Sequence, residues 1–425
     1  MRGAGGCVGA GAARSSGFGL TSALYTSPAA YLGSMAAVSS APAFAPYTSP
    51  DCPLPLASLA HGWIKGSMDA ITDASPECKK MLPAQASAFF QHFPPRSSSS
   101  SLQHELSLQA THSVFTASLQ RAKEMKKEDG GLTLARLVSV SAPRAWTWKV
   151  VAPTSSELSL SDVEYRLAVR FNLGLQPMAG AAAMPDVCSL CKAARTHLNS
   201  IRDEPWHFLS CPKLKRGELN IRHDEVSRAI YRSALLMGLR AQHEVEGLDA
   251  TGDLRPDVLL TLPGRQVLTD VAIVHPLAHG AVREGRGLRQ LGCARGMEAK
   301  KRRKYAQMSS LRGFEQLPFV VETSGGMGPS ADTLVKAMAE ASEEYLRIWS
   351  KAAVIRHLVG SVAVAVQRGS AISYLDGYDK SLQAMRKKTA RRVQEDHEGE
   401  GEEEVGREEE EEGEGGEEGE LAAAA

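Results

Sequence analysis

Across 425 residues the chain has no run of eighteen or more uncharged apolar residues, so no transmembrane helix and no membrane partner is expected. Its seven cysteines are too few and too scattered for a disulfide framework at this length. That excludes a disulfide-built secreted scaffold and favours a reducing, intracellular compartment. Acids are missing from the first fifty residues, which are rich in alanine, serine and glycine; the first acid is Asp51. A transit peptide shares that composition, but Arg2 and Arg14 alone carry positive charge there, which is too little to support one. Periodic hydrophobicity is also scarce from residue 1 to 101, where alanine, serine, proline and glycine dominate, so this stretch is expected to be disordered.

The formal net charge of zero hides a segregation of charge. Residues 395–420 hold sixteen acids and one arginine, a local charge of −15, which leaves about +15 on the rest of the chain. An acidic tail on a basic body is a pattern of nucleic-acid proteins, in which the tail competes for the basic surface; a solubilising tail has the same composition. The segment 393–425 is expected to be an acidic disordered tail.

Between these ends the apolar residues take on a period. A helical lead-in over 102–187 begins with Leu102, Leu106, Val114, Phe115 and Leu119 at roughly helical spacing. Ser161 and Glu164 have the spacing of a capping box, Val163, Leu167, Ala168 and Phe171 make an apolar stripe, and Gly174 suits a helix end. The spacing predicts a helix over 162–173, packed beside the neighbouring cysteine cluster. An amphipathic helix over 218–239, with Val226, Ala229, Ile230, Ala234 and Met237 on one face, leads into strand-like runs at 242–247, 255–262 and 266–275. A basic helix over 297–311 and a strand over 317–323 come next, then the glycine-rich 324–328. The order α-β-β-β-α-β over 216–330 predicts an α/β fold with helices covering a small sheet, closed by helices within 331–392.

Cysteine is scarce but three of the seven cluster. Cys188-x2-Cys191-x15-His207-x3-Cys211 offers three thiolates and an imidazole, the ligand set of a structural zinc tetrahedron, over a knuckle spanning 188–211. His197 also falls between the two pairs and is an alternative to His207; the short spacing from His207 to Cys211 lets one turn present both. A zinc deaminase would need an H-x-E motif upstream and P-C-x-x-C, and neither is present, so the zinc is read as structural.

Two aspartates stand in otherwise apolar strands on either side of Pro263-Gly264. A hairpin centred on that turn pairs positions whose numbers sum to 527, as those of Asp257 and Asp270 do, placing their β-carbons about 5 Å apart on one face. Like charges so placed repel unless something positive lies between them, and a divalent cation, for which carboxylates are preferred ligands, supplies that charge. L-Pro-Gly does not favour the primed turns of two-residue hairpins, and a slip of one residue would put the aspartates on opposite faces. Strand-end aspartates pointing to water are the alternative.

"RPDVLL", then "DVAIVHP", then "KKRRKY" resembles the PD-(D/E)xK nuclease motif of site-specific non-LTR retrotransposons. "CSLC" with "HFLSCP" and "RHDEVSRAI" resembles the zinc knuckle and helix that precede that nuclease, and "LPFVVETSGGMGPSA" resembles the segment beyond its lysine helix. The similarity runs from about residue 158 to 342. It implies a restriction-like αβββαβ core in which Asp257 and Asp270 hold Mg²⁺ and a lysine polarises the water or phosphate. Position 272 is alanine, so the lysine must come from the next helix along the chain: Lys301, favoured, or Lys304, beside Tyr305. Glu225 or Glu244 is a candidate third carboxylate. The run from Lys300 to Lys304 reads equally as a phosphate-binding surface or a nuclear localisation signal.

The parent elements carry a polymerase, but no Y-x-D-D signature occurs here; Tyr374-Leu375-Asp376-Gly377 lacks the second aspartate. The sequence therefore predicts a metal-dependent DNA endonuclease that nicks strands without the reverse transcriptase, with Zn²⁺ structural, Mg²⁺ catalytic and RNA the alternative substrate. A catalytically inactive, retrotransposon-derived nucleic-acid-binding protein is the competing expectation. Location in the nucleus, or otherwise the cytoplasm, is expected from either.

Overall fold

The computed structural model describes residues 61–89, 100–125, 127–178, 187–191, 204–214, 217–248, 254–346 and 350–413, together with Leu32 and Ile201. The fold is mixed α/β, mostly helical around small sheets. Its helices and strands in chain order are α1 (His61–Ala74), α2 (Ser100–Glu124), α3 (Lys127–Val140), α4 (Asp162–Leu173), α5 (Glu218–Leu236), β1 (Arg240–His243), β2 (Val258–Leu262), β3 (Arg265–Thr269), β4 (Val271–Val274), α6 (His279–Arg283), α7 (Gly292–Arg312), β5 (Glu315–Gln316), β6 (Phe319–Glu322), α8 (Pro329–Leu346) and α9 (Lys351–Gly413).

The expectation of disorder up to residue 101 gives way over 61–89 and at 100–101, where the structure describes helix and turn; residues 90–99 and, apart from Leu32, 1–60 lie outside the described residues. Ile64, Met68 and Ile71 recur at i, i+4 and i+7, and this one-sided stripe on α1 buries against Leu102, Leu106 and Ala110 of α2 and against Cys78 and Phe89. The stripe is short and lies in a polar, small-residue context, which hid it from a reading by composition. The same contacts supply the partner surface of α2.

Helix α4 starts and stops where its sequence says. The Ser161 hydroxyl accepts from the Glu164 N–H at 3.4 Å, the Glu164 carboxylate accepts from the Ser161 N–H at 2.8 Å, and Gly174 closes the helix at φ 73°.

β1, β2 and β3 form an antiparallel meander, and β5 adds parallel to β3; β4 and β6 pair in parallel. The single strand expected over 266–275 is interrupted at Asp270, and that expected over 317–323 is likewise preceded by a separate short strand. Pairing nevertheless runs through both breaks, since Leu317 N–H donates to the Leu268 carbonyl and Phe319 N–H to that of Asp270, each at 3.1 Å. Val258, Leu260, Leu262, Val267, Val271, Phe319 and Val321 point to one side, into a core shared with α5, α8 and α9. Leu259 and Leu268 point to the other, against Tyr305 and Met308 of α7. A small sheet covered on both faces is why its strands read as nearly continuous apolar runs.

Part of α9, Lys351–Arg391, is long and apolar enough to cross a membrane by length and composition. Within its most apolar window 83% of the residues are buried in the fold, which marks a central core helix. The same helix continues past residue 393 to Gly413.

Two buried carboxylates close helix starts from inside. Glu298 accepts from the Ser330 N–H at the start of α8 at 2.8 Å, and Glu322 lies 3.4 Å from the Ala294 N–H at the start of α7. Burial pushes the Glu322 carboxyl up to about 7, against its bonds to Ala294 and Ser139. A carboxyl whose pKa is raised on folding costs nothing below its unfolded value near 4.5. The cost grows as pH rises through the interval and is full above about 7, reaching about 3 kcal/mol. Glu322→Gln is therefore expected to match the wild type in urea unfolding at pH 4.5 and to exceed it by up to that amount at pH 8. An equal difference at both pH values would contradict the assignment.

Candidate functional site

The hairpin register is the one the turn arithmetic gives. Val258 pairs with Thr269 and Leu262 with Arg265 around Pro263-Gly264, so the next positions outward are Asp257 and Asp270. The unprimed geometry is accommodated because proline fixes the first turn position and Gly264 takes φ 69° at the second, the type II pattern.

Helix α7 brings the positive charge. Lys301 and Tyr305 are four residues apart and share the face turned toward the strands: the Lys301 ammonium pairs with Asp270 Oδ2, and the fully buried Tyr305 hydroxyl donates to Asp270 Oδ1 at 2.9 Å. Lys304 Nζ donates to the Tyr305 hydroxyl at 2.9 Å, one bond further from the carboxylate.

Asp257 has different company. Its Oδ2 accepts from the Val271 N–H at 2.6 Å and lies 3.1 Å from His223 Nε2, while His223 Nδ1 lies 3.0 Å from Asp224 Oδ1. His223 stands one turn before Val226 on the stripe of α5 that packs on the sheet, so the helix aims it at the strand ends. Sequence reading missed it, although its i, i+3 relation to Val226 was a usable signal.

The two carboxyls are driven apart in acidity. Burial pushes Asp270 up, against the pull of Lys301; Asp257, despite burial, is held low by His223, the Val271 N–H and Lys301. Burial also works against charge on His223, but Asp257 and Asp224 outweigh it and push the imidazole up to about 9.

Neither candidate third carboxylate reaches this group. Glu225 comes two residues after His223, roughly 200° around the helix, and faces Arg368 and Arg228, each at 3.6 Å. Glu244 offers its backbone to the site, its N–H donating to the Asp257 carbonyl at 2.7 Å. Its carboxylate instead pairs with Arg255 at the half-exposed edge.

The cysteine cluster assembles as spaced. One ligand atom from each of Cys188, Cys191, His207 and Cys211 lies within 4.8 Å of the others, the one such donor set found among the described residues, and it can hold a metal such as zinc. His207 Nε2 stands 3.4 Å from Cys191 Sγ, while Nδ1 lies 3.6 Å from Glu204, the outer carboxylate that commonly orients a ligating imidazole. The hydrogen bond between Cys211 and Cys188 pulls the Cys188 thiol down, against burial, and together with burial pushes the Cys211 thiol up, so the two share one proton in the absence of a metal. His197 lies outside the described residues.

The knuckle is built into the core. Phe171 of α4 meets Trp206 edge-on at 5.0 Å, and Tyr374 of α9 packs on Trp206 and Phe208 at 5.3 and 5.5 Å. Tyr374 is therefore a packing residue. Arg222 of α5, also buried, donates to the Leu209 carbonyl within the knuckle at 3.0 Å, and its neighbour His223 reaches Asp257. Gly369 lets α9 approach there, since a β-carbon would stand 2.4 Å from the Arg222 Cα. His275, which ends the "DVAIVHP" run, is buried against Thr323 at 2.9 Å and pushed down to about 3 by that burial, which keeps it neutral.

No family model matches this chain, and no curated protein matches it in sequence.

Proposed function

We propose that this chain is a metal-dependent DNA endonuclease of the restriction-like PD-(D/E)xK type, carrying the zinc knuckle and nuclease of a non-LTR retrotransposon. The observation that carries this reading is the convergence of Asp257, Asp270 and Lys301 from a hairpin end and a basic helix. Two desolvated carboxylates at one hairpin end, one of them paired with an ammonium, are costly to assemble and add little to stability, so a chemical role accounts for them better than folding does.

Asp257 and Asp270 would hold Mg²⁺. A divalent cation there supplies Lewis-acid polarisation of a phosphodiester and a more acidic water. Lys301, now on Asp270, is placed to contact phosphate once that carboxylate engages the cation. Tyr305 fixes Asp270 in one orientation, and Lys304 holds Tyr305. The exposed basic residues of α7, Lys300, Arg302 and Arg303, extend the same helix as a phosphate-contacting surface, which implies binding that weakens steeply with salt.

The test is incubation of the zinc-loaded full chain with supercoiled plasmid, with and without Mg²⁺. Open-circle product that forms only with Mg²⁺ and stops on addition of EDTA supports the reading. Plasmid bound in a salt-dependent manner yet left intact would overturn it in favour of the binding-only protein.

A further inference from the structure

Resting on the DNA substrate of that reading, we infer that the segment joining α6 to α7 is a second phosphate-contacting surface, which holds the strand to one side of the cleaved bond through Arg283, Arg286 and Arg289. From 279 to 312 the chain carries ten lysines and arginines against two acids, and one of the two, Glu298, is buried on the Ser330 N–H. Arg283, Arg286 and Arg289 are all exposed. Arg286 pairs with Glu284 at 2.6 Å, whereas Arg283 and Arg289 have no ion pair among the described residues. A solvent-exposed pair of this kind adds little to stability, so Arg286 can exchange it for phosphate.

The backbone of the segment is fixed from several sides. Leu288 and Leu291 turn inward to two separate apolar clusters, while the arginines beside them turn out. The Gly287 N–H donates to the Ala281 carbonyl and the Gly292 N–H to the Arg289 carbonyl, each at 2.9 Å, and the Gln290 side-chain amide donates to the Ser141 carbonyl at 3.0 Å. A β-carbon at Gly287 would collide with the Pro276 carbonyl oxygen, and one at Gly292 with that of Arg286, so both close approaches need glycine. A backbone held in this way leaves less ordering to be done when its arginines bind.

The surface is also continuous with α7. A β-carbon at Gly296 would stand 3.7 Å from Arg286 Nη1, so that guanidinium lies over the helix five residues before Lys301, about 8 Å along its axis. A strand advances about 3.4 Å per nucleotide, which puts Arg286 roughly two steps from a phosphate at Lys301. Guanidinium groups suit such a partner, because their fork of N–H donors matches a pair of phosphate oxygens. No large apolar side chain of this segment is exposed, which argues against an anionic membrane in its place.

The experiment measures binding of the full, zinc-loaded chain to a fluorescein-labelled DNA duplex by anisotropy, across a salt series without Mg²⁺. Arg283→Gln, Arg286→Gln and Arg289→Gln combined are expected to reduce the slope of log K against log salt by about 2 to 3, since each phosphate contact contributes about 0.9; Arg289→Gln alone should reduce it by about 1. Circular dichroism and zinc content check that the variants remain folded, and the single variant decides if the triple one does not. A wild-type slope in these variants, while Lys300→Gln combined with Arg303→Gln lowers it, overturns the role of the α6–α7 segment and leaves the nuclease reading standing. A lowered slope in a protein whose wild type leaves plasmid intact keeps this surface and removes the nuclease. Wild-type binding that does not weaken with salt overturns both.

Discussion

Asp257→Asn is expected to reduce Mg²⁺-dependent nicking by about a thousandfold or more, because the several kcal/mol of charge stabilisation that a bound cation supplies is lost with its carboxylate. The choice of asparagine comes from the structure. Asp257 Oδ2 is the acceptor for the buried Val271 N–H, and alanine would leave that donor unpaired at a cost of about 1–3 kcal/mol, mixing a folding defect into the assay. Asparagine keeps the bond and removes the charge, so DNA binding and the melting temperature should stay near wild type. Asp270→Asn should be equally inactive. Lys301→Ala should slow cleavage more than Lys304→Ala, because Lys301 pairs with Asp270 itself while Lys304 acts on it through the Tyr305 hydroxyl. Wild-type nicking in Asp257→Asn would remove the pair from the mechanism, and equal rates in the two lysine variants would contradict their ranking.

Cys211→Ser is expected to cause the largest loss of stability of any substitution considered. Structural zinc contributes on the order of 10 kcal/mol to folding of such modules, comparable with the whole net stability of an ordinary domain. Here the effect should spread beyond the knuckle. Tyr374 of α9, Phe171 of α4 and Arg222 of α5 all rest on it, so its loss removes packing from three helices and loosens the turn of α5 that carries His223. One equivalent of zinc should accompany the wild type by elemental analysis, and less than about a tenth should remain in Cys191→Ser or Cys211→Ser, with a broad, lowered melting transition. Folded wild type without zinc would sink the assignment.

The aspartate pair and the cysteine cluster are thus joined by one stretch of helix. Arg222 touches the knuckle carbonyl and His223 touches Asp257, one residue apart in sequence and facing different partners. Zinc should therefore influence the aspartate pair without any residue contacting both.

Features whose physics is local were legible in the sequence. The capping box of α4 spans four residues and its two hydrogen bonds need nothing else. The knuckle is specified by spacing, since two short turns present the four donors. The register that brings Asp257 opposite Asp270 comes from a two-residue turn, because proline and glycine fix its dihedral angles and pairing then propagates by alternation. Packing decided the rest. Glu225 and His223 are two residues apart on one helix, and only the docking of α5 on the sheet determines which of them turns toward the aspartates. Glu244 lies beside Asp257 in the chain pairing, yet Arg255 draws its carboxylate to the edge. Ile64, Met68 and Ile71 become a core only because α2 offers a matching face, and Glu322 becomes a buried acid of raised pKa only because α7 begins against it. Hydrogen bonds that close within a few residues are written in residue order, whereas the partner of a long side chain is set by the angle at which its element is packed, which no local sequence encodes.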